Sequence, residues 1–357
     1  VFDPASFAGN TVEFASLGGN QKIPAGVYQN ISVLGGSPKL ITNGDLQIEG
    51  ELHLESNIER DPFSLDLAHI ILNGTQDQII TGTGEGIIQA MDVEKDSGTV
   101  IVRDAFVIQE TISLLKGEVR TENSFVGLSG FAVITETEKG YISGKLATTR
   151  NINGGSTNEF GGMGLKILAA RDKPLGQTLV IRTTGSSVDP DHIQRYFEIT
   201  PTFNEDLNAK VNFFYNERDL AGAKEKELVL VRDNNNGGAF EELDSKNFFK
   251  DNELVDFFID EFGTIAARTK TLRVKAFPTP FQGTEAVTIA YFLPFDSPVT
   301  LSVYDRAGRL TYRDELEGLT GKNVAEIPGN NNRAGTYYVH IHTAEREGYA
   351  KIFKLAY

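Results

Sequence analysis

Apolar residues along this chain alternate with polar ones far more often than they recur every three or four positions. Leu46, Ile48, Gly50, Leu52 and Leu54 interleave with Gln47, Glu49, Glu51, His53 and Glu55. That is the period of a half-buried strand with a charged outer face. Comparable runs return every 8 to 15 residues, separated by clusters such as Gly18-Gly19-Asn20, Gly35-Gly36-Ser37, Asn153-Gly154-Gly155 and Asn234-Asn235-Asn236-Gly237-Gly238. Gly and Asn accept positive φ, so these clusters punctuate strands. Helical periodicity is confined to Glu217–Glu227, where the pattern predicts a short helix or helical loop. The expectation is an all-β chain.

Residues 1–150 repeat themselves. Shifting 28–54 by sixty positions lays Tyr28 on Ile88, Ile31 on Met91, Val33 on Val93, Leu46 on Phe106, Ile48 on Ile108, Leu52 on Ile112 and Leu54 on Leu114. Upstream, Gln21 and Ile23 meet Gln78 and Ile80 at a shift of 57, so a three-residue insertion separates the two blocks. A self-similar unit that buries one face against its neighbours predicts a repetitive β-solenoid-like region, or a repetitive sandwich. The stretch is similar in composition to the solenoid-like parts of large bacterial cell-surface proteins. Gly140–Leu146 closes it, and Asn151–Gly164 reads as a linker or long loop.

The segment 151–272 predicts a central β-sandwich. Its candidate strands are Leu165–Ala169, Thr178–Thr183, Gln194–Thr200, Lys210–Tyr215, Glu227–Arg232 and Leu254–Ile259, a number that suits two packed sheets. The strand Gln194–Pro201 is similar to one found in surface-protein modules that precede secretion domains.

In 273–357, Val299, Leu301 and Val303 alternate with Thr300, Ser302 and Tyr304 before Asp305-Arg306-Ala307-Gly308. A turn there needs a residue tolerant of positive φ, which Gly308 is, and a side-chain acceptor for the turn amides, which Asp305 supplies. Ala334-Gly335-Thr336-Tyr337-Tyr338-Val339 opens another strand. Together with Phe277-Pro278-Thr279-Pro280-Phe281 and the basic ending Lys351 and Lys354, these motifs resemble, in order, the type A C-terminal sorting domain of the type IX secretion system. Thr279 stands where that family has Asn, and Leu355-Ala356-Tyr357 extends past its final Lys. The resemblance implies a small Ig-like sandwich read by an outer-membrane translocon, with Pro278, Asp305, Gly308, Gly335, Tyr337, Lys351 and Lys354 as its motif residues. It also implies an extracellular or cell-surface, outer-membrane-associated location in a Gram-negative bacterium.

Composition narrows the remainder. Thirty-four Lys and Arg against forty-nine Asp and Glu give a net charge of −15, which repels phosphate backbones and disfavours nucleic-acid partners. The absence of Cys excludes disulfides, thiolate metal sites and cysteine nucleophiles. No apolar stretch is long enough to span a membrane. The chain starts at Val1, which removal of an upstream signal peptide would explain.

Candidate chemistry is sparse. His340 and His342 form an H-x-H pair without an apparent third ligand, which reads as a solvated strand face. His192 beside Asp189 and Asp191 has the ingredients of acid–base work but reads more simply as a turn before a strand. Asp233–Gly238, with Asp244 at the twelfth place, has part of a calcium loop, yet Gly237 occupies a ligand position and a hairpin loop is favoured. Glu49, Glu51 and Glu55 read as the acidic outer face of one strand, solvated or recruiting cations. No nucleophile elbow, zinc-protease helix or phosphate loop is present, so neither a catalytic site nor a cofactor is expected.

Three classes of function remain. The first is a non-enzymatic structural or adhesion protein of the surface, whether adhesin, filament or coat component, self-assembling or touching a surface glycan. The second is a carbohydrate-binding or accessory portion of a secreted glycan-active enzyme. The third is a cytosolic β protein whose ending imitates a sorting domain. The alternation itself is testable. Leu52→Asp places an unpaired charge inside the repeat and is expected to cost on the order of 4 kcal/mol; an unchanged melting curve would put Leu52 on the wrong face.

Overall fold

The computed structural model describes residues 10–356 apart from 64–67, 189–191, 224, 226–227, 234–239, 244–252, 270–271, 273, 294–295, 320, 330–332 and 345. It is all-β, 64% strand and 2% helical. The chain divides into two compact units. One holds Val1–Ser186, Gln194–Asp219 and Asp244–Ile265; the other holds Ser187–Ile193, Leu220–Leu243 and Ala266–Tyr357.

The first unit begins as stacked parallel coils. Tyr28 pairs with Ile48, Ile48 with Leu72, Leu72 with Val93, Val93 with Leu114 and Leu114 with Glu136. A second ladder on the same face runs Leu46, Ile70, Met91, Ile112, Ile134. Another face carries Ile31, Leu52, Ile80 and Val102, and a third carries Lys39, Ile58, Ile88 and Ile108. Each coil therefore turns through three strands, and apart from Lys39 and Glu136 at ladder ends the stacked residues are apolar.

The spacing along the first ladder is 20, 24, 21, 21 and 22 residues, which corrects the sixty-residue repeat read from sequence. That shift lays inward residues of different faces on one another: Ile31 stacks on Leu52, whereas Met91 stacks between Ile70 and Ile112. All seven coincident pairs are buried, so the coincidence reports shared burial and not a shared place in the coil.

The run from Leu46 to Leu54 is likewise two strands, Lys39–Ile48 and Leu52–Leu54, joined by a corner at 49–51. Glu49 and Glu51 lie in that corner and Glu55 follows the next strand, so they do not form one strand's outer face. Corners are where coils approach most closely. A Cβ on Gly50 would sit 2.3 Å from Asn30 Oδ1, and one on Gly74 would sit 1.9 Å from the Glu49 carbonyl oxygen; only glycine fits at such contacts.

Polar side chains satisfy the carbonyls that the corners leave inside. Gln78 donates through Nε2 to the Ile48 carbonyl (2.7 Å) and accepts from Lys95 Nζ (2.9 Å). The Lys95 ammonium also donates to the carbonyls of Gln76 (2.8 Å) and Gly74. Burial pushes the Lys95 amine below its usual range. Lys39, fully buried, does the same with Ser37 (2.6 Å) and Ser16 (3.2 Å).

Strand Gly140–Ile152 ends the parallel stack. One edge continues the coils by pairing with 117–120 and 125–128, while the other pairs antiparallel with Gly176–Thr184. The latter pairs with 195–201. A second antiparallel sheet, Thr157–Asn158, Leu165–Leu168, Ala209–Phe214 and Glu253–Ile259, faces this one. Phe197 and Phe213 meet edge-on across the gap at 5.2 Å. The central sandwich is thus built onto the last coil; position 150 falls inside a strand that serves both. Within the expected helix at 217–227 the structure shows a 3₁₀ turn at Glu217–Leu220, and 224 and 226–227 lie outside the described residues.

Two buried ion pairs sit where the coils give way to the sandwich. Arg182, fully buried, grips Glu136 with both terminal nitrogens (2.6 and 2.8 Å). Arg195 lies 2.8 Å from Asp219. Burial alone would push the Glu136 carboxyl up. The charge and hydrogen bonds of Arg182, the charge of Arg195 and the Ile142 amide together outweigh it and hold the group at about 2.

The second unit contains a hairpin, Leu228–Asp233 with Glu241–Glu242, and a seven-stranded sandwich. Its three-stranded sheet is Val274–Phe277, Val287–Leu293 and Gly321–Ile327. Its four-stranded sheet is ordered Leu310–Gly318, Ser297–Asp305, Gly335–His342, Glu347–Lys354. Ile289, Tyr291, Leu301, Val303, Val339, Ile341 and Ile352 fill the space between.

Glu136 carries the prediction for the first unit. Its folded pKa is depressed, so its contribution is present above the unfolded carboxylate value near pH ~4 and is lost as pH falls towards 2. Glu136→Gln, which strands Arg182, is expected to cost about 3–5 kcal/mol at neutral pH and to flatten the acid limb of the stability profile. Parallel pH–stability curves for variant and parent would contradict the pairing.

Candidate functional site

The seven motif residues singled out from sequence gather at one end of the C-terminal sandwich. The turn after Ser297–Asp305 is closed by Asp305, whose Oδ1 accepts from the amides of Ala307 (2.8 Å) and Arg309 (3.0 Å) and whose Oδ2 accepts from Arg309 Nε (2.8 Å). The Arg309 amide, then the Arg309 side chain and the Ala307 amide, hold the Asp305 carboxyl below its ordinary range against partial desolvation. Gly308 adopts φ +79°, the left-handed conformation that a side chain would strain.

Asp305 is the register partner of Tyr337, and Tyr337 is that of Ile352. Tyr337 is buried in the core and turns its hydroxyl out to the Arg333 carbonyl (2.7 Å), so the apolar ring is packed and its polar tip satisfied. Gly335, at φ +150°, starts this strand opposite Lys354.

The opening segment lies along the end of the last strand. The peptides before Pro278 and Pro280 are cis. Phe281, buried, donates its amide to the Phe353 carbonyl (3.0 Å) and accepts from the Leu355 amide (3.0 Å). Thr279, which replaces the family's Asn, presents Oγ1 as acceptor to the Phe353 amide (3.2 Å). Leu355, beyond the final Lys, thereby continues the pairing.

The two lysines separate. Lys354 is buried; its ammonium donates to the Gly329 carbonyl and lies 5.8 Å from the centre of the Phe281 ring. Lys351 is exposed and stands opposite Tyr338. On the same outer face Tyr349 and Phe353 are exposed, and the His340 ring stacks on Tyr349 at 4.6 Å. The alternation separates the lysines: three residues apart, they fall on opposite faces of the strand, Lys354 with buried Ile352 and Lys351 with exposed Tyr349 and Phe353.

The other candidates are dispersed. His340 Nε2 is 3.1 Å from Glu347, and the His342 ring is 5.8 Å from that of His340. Among the described residues no group of three or more His, Asp or Glu is placed to hold a metal ion. His192 is buried with its ring 4.8 Å from Phe240, while Asp189 and Asp191 lie outside the described residues. Asp233 ends a strand, and Asn234–Gly238 and Asp244 are likewise outside them. Sequence reasoning missed the ion pairs Glu136–Arg182 and Arg195–Asp219, whose partners are 46 and 24 residues apart and lie in no shared motif.

Residues 275–354 match the family described as the secretion system C-terminal sorting domain. No curated protein matches the chain.

The burial difference makes the lysines separable by experiment. Lys354→Ala removes the donor to the Gly329 carbonyl and is expected to destabilise the sandwich by about 1–3 kcal/mol, whereas Lys351→Ala stays within about 0.5 kcal/mol. Equal midpoints for the two variants in urea titration would refute this division of roles.

Proposed function

We propose that this chain, a type IX secretion cargo, acts outside the cell as a non-enzymatic structural or adhesion protein. The sorting domain makes it a secreted or cell-surface protein and makes the type IX machinery a partner. The observation that carries the structural reading is the run of apolar ladders through the parallel coils, from Tyr28 to Leu114 without a break. Stacks of that kind give a rigid scaffold with a broad polar exterior, suited to display and contact. The outer face carries ion pairs and hydrogen bonds that run from coil to coil, such as His69 with Asp92 (2.7 Å) and Gln89 with Glu110 (2.7 Å).

The motif residues support the export part in a specific way. Asp305, Gly308, Gly335, Tyr337 and Lys354 each hold the fold of one end of the sandwich. We infer that the machinery reads the surface this end presents, where Lys351 is free to make contact, while the buried members shape it. Attachment at the outer membrane of a Gram-negative cell, and self-assembly there, belong to this proposal. A carbohydrate-binding role is the second reading, favoured by a polar cavity beside Arg195 and Asn216.

Three measurements test the proposal. Cells producing the chain without 275–357 are expected to lose its surface labelling while the upstream fold accumulates in the envelope; normal display would refute the sorting role. Loss of the whole protein is expected to change attachment or the surface layer seen by electron microscopy. Release of reducing ends from glycans by the purified chain would overturn the non-enzymatic assignment.

A further inference from the structure

A cavity of about 230 Å³ opens at the end of the coils, inside the first unit. Its carboxylates are each matched by an arginine. Glu136 is held by Arg182, Asp219 lies 2.8 Å from Arg195, and Glu118 accepts from Arg120 at 3.2 and 2.8 Å. Arg218 donates to the Thr137 carbonyl (2.6 Å) and lays its guanidinium 3.8 Å from the centre of the Tyr141 ring. The Thr184 hydroxyl donates to the Ile142 carbonyl (2.5 Å).

The neutral groups are different. The hydroxyls of Tyr141 and Ser143 and the side-chain amides of Gln194 and Asn216 line the cavity, half-buried, and have no hydrogen-bond partner among the described residues. The wall is kept open at Gly185, where a Cβ would fall 2.4 Å from Ser143 Oγ. A second cavity of about 420 Å³ shares Glu136, Arg195 and Asn216 with the first and adds the apolar surfaces of Leu165 and Phe214.

This inventory selects a ligand class. A metal ion needs uncompensated carboxylates, and the arginines leave none. Arg218, the one lining cation without a carboxylate, spends one nitrogen on the Thr137 carbonyl and its face on the Tyr141 ring. An anion, which only accepts, would leave the amide oxygens of Gln194 and Asn216 unmatched. An apolar ligand would strip water from four polar groups and return no hydrogen bonds. A ligand that both donates and accepts, and carries no charge, satisfies two hydroxyls and two amides together. We propose that this cavity binds a neutral saccharide, with Tyr141, Ser143, Gln194 and Asn216 bonding its hydroxyls. The adjoining cavity takes the next ring, whose apolar face meets Phe214. The proposal rests on the carbohydrate-binding reading and is independent of how the chain is exported.

The test is calorimetric titration of the full chain with neutral cello-, manno-, xylo- and chito-oligosaccharides, and with oligogalacturonate as the acidic comparison. At least one neutral series is expected to bind with a Kd of about millimolar or tighter, and the double variant Gln194→Ala/Asn216→Ala to weaken it about tenfold or more. Tyr141→Phe removes one hydroxyl atom while keeping the ring under Arg218; it is expected to weaken binding severalfold at an unchanged melting temperature, which separates lost contact from lost fold. Silence towards every sugar overturns both this proposal and the carbohydrate-binding reading. Binding of oligogalacturonate alone overturns the neutral class and leaves that reading standing. Neutral binding that both variants leave intact overturns the site.

Discussion

Each coil must lay its inward side chains on those of the coil before it, because parallel strands about 4.8 Å apart share one ladder. Most of the first unit follows from that demand. Bulky apolar residues recur at matched positions, as in Ile70 over Leu46 and Met91 over Ile70. Corners close to the same spacing, so Gly50 and Gly74 carry no side chain where the neighbouring backbone stands almost in contact. The carbonyls that turn inward at those corners need donors, and Gln78, Lys95 and Lys39 supply them.

The use of lysine recurs in the second unit. Lys354, like Lys39 and Lys95, runs its methylene stem through apolar surroundings and delivers the ammonium to a backbone carbonyl. Arginine handles the other buried positions: Arg182 matches the two oxygens of Glu136 with two parallel bonds, a geometry that lysine lacks. Glu136 sits at the last step of the ladder that begins with Tyr28, so the apolar stack ends in a charge that the sandwich neutralises.

What could be read from the chain alone was whatever depends on near neighbours. Alternation of Leu52 and Leu54 with His53, the turn at Asp305 to Gly308 and the strand at Gly335 are decided within a few residues, and the structure shows them where the pattern put them. Coil length was hidden, since an inward residue on one face looks like an inward residue on any other. The corner at 49–51 was hidden for the same reason: Gly50 keeps the parity of the run while the chain changes direction. The cavity residues, drawn from positions 118 to 219, share no spacing at all. Only the sheet crossing from coils to sandwich brings them together, and no local pattern encodes it.

Strand Gly140–Ile152 has a further consequence. A parallel stack of coils is a template, and an open final rung would recruit the first rung of a second molecule into an endless fibre. Here the final rung is already occupied on its far side by Gly176–Thr184 running the other way. The chain thus carries its own terminator, and growth by head-to-tail templating stops at one end of every copy.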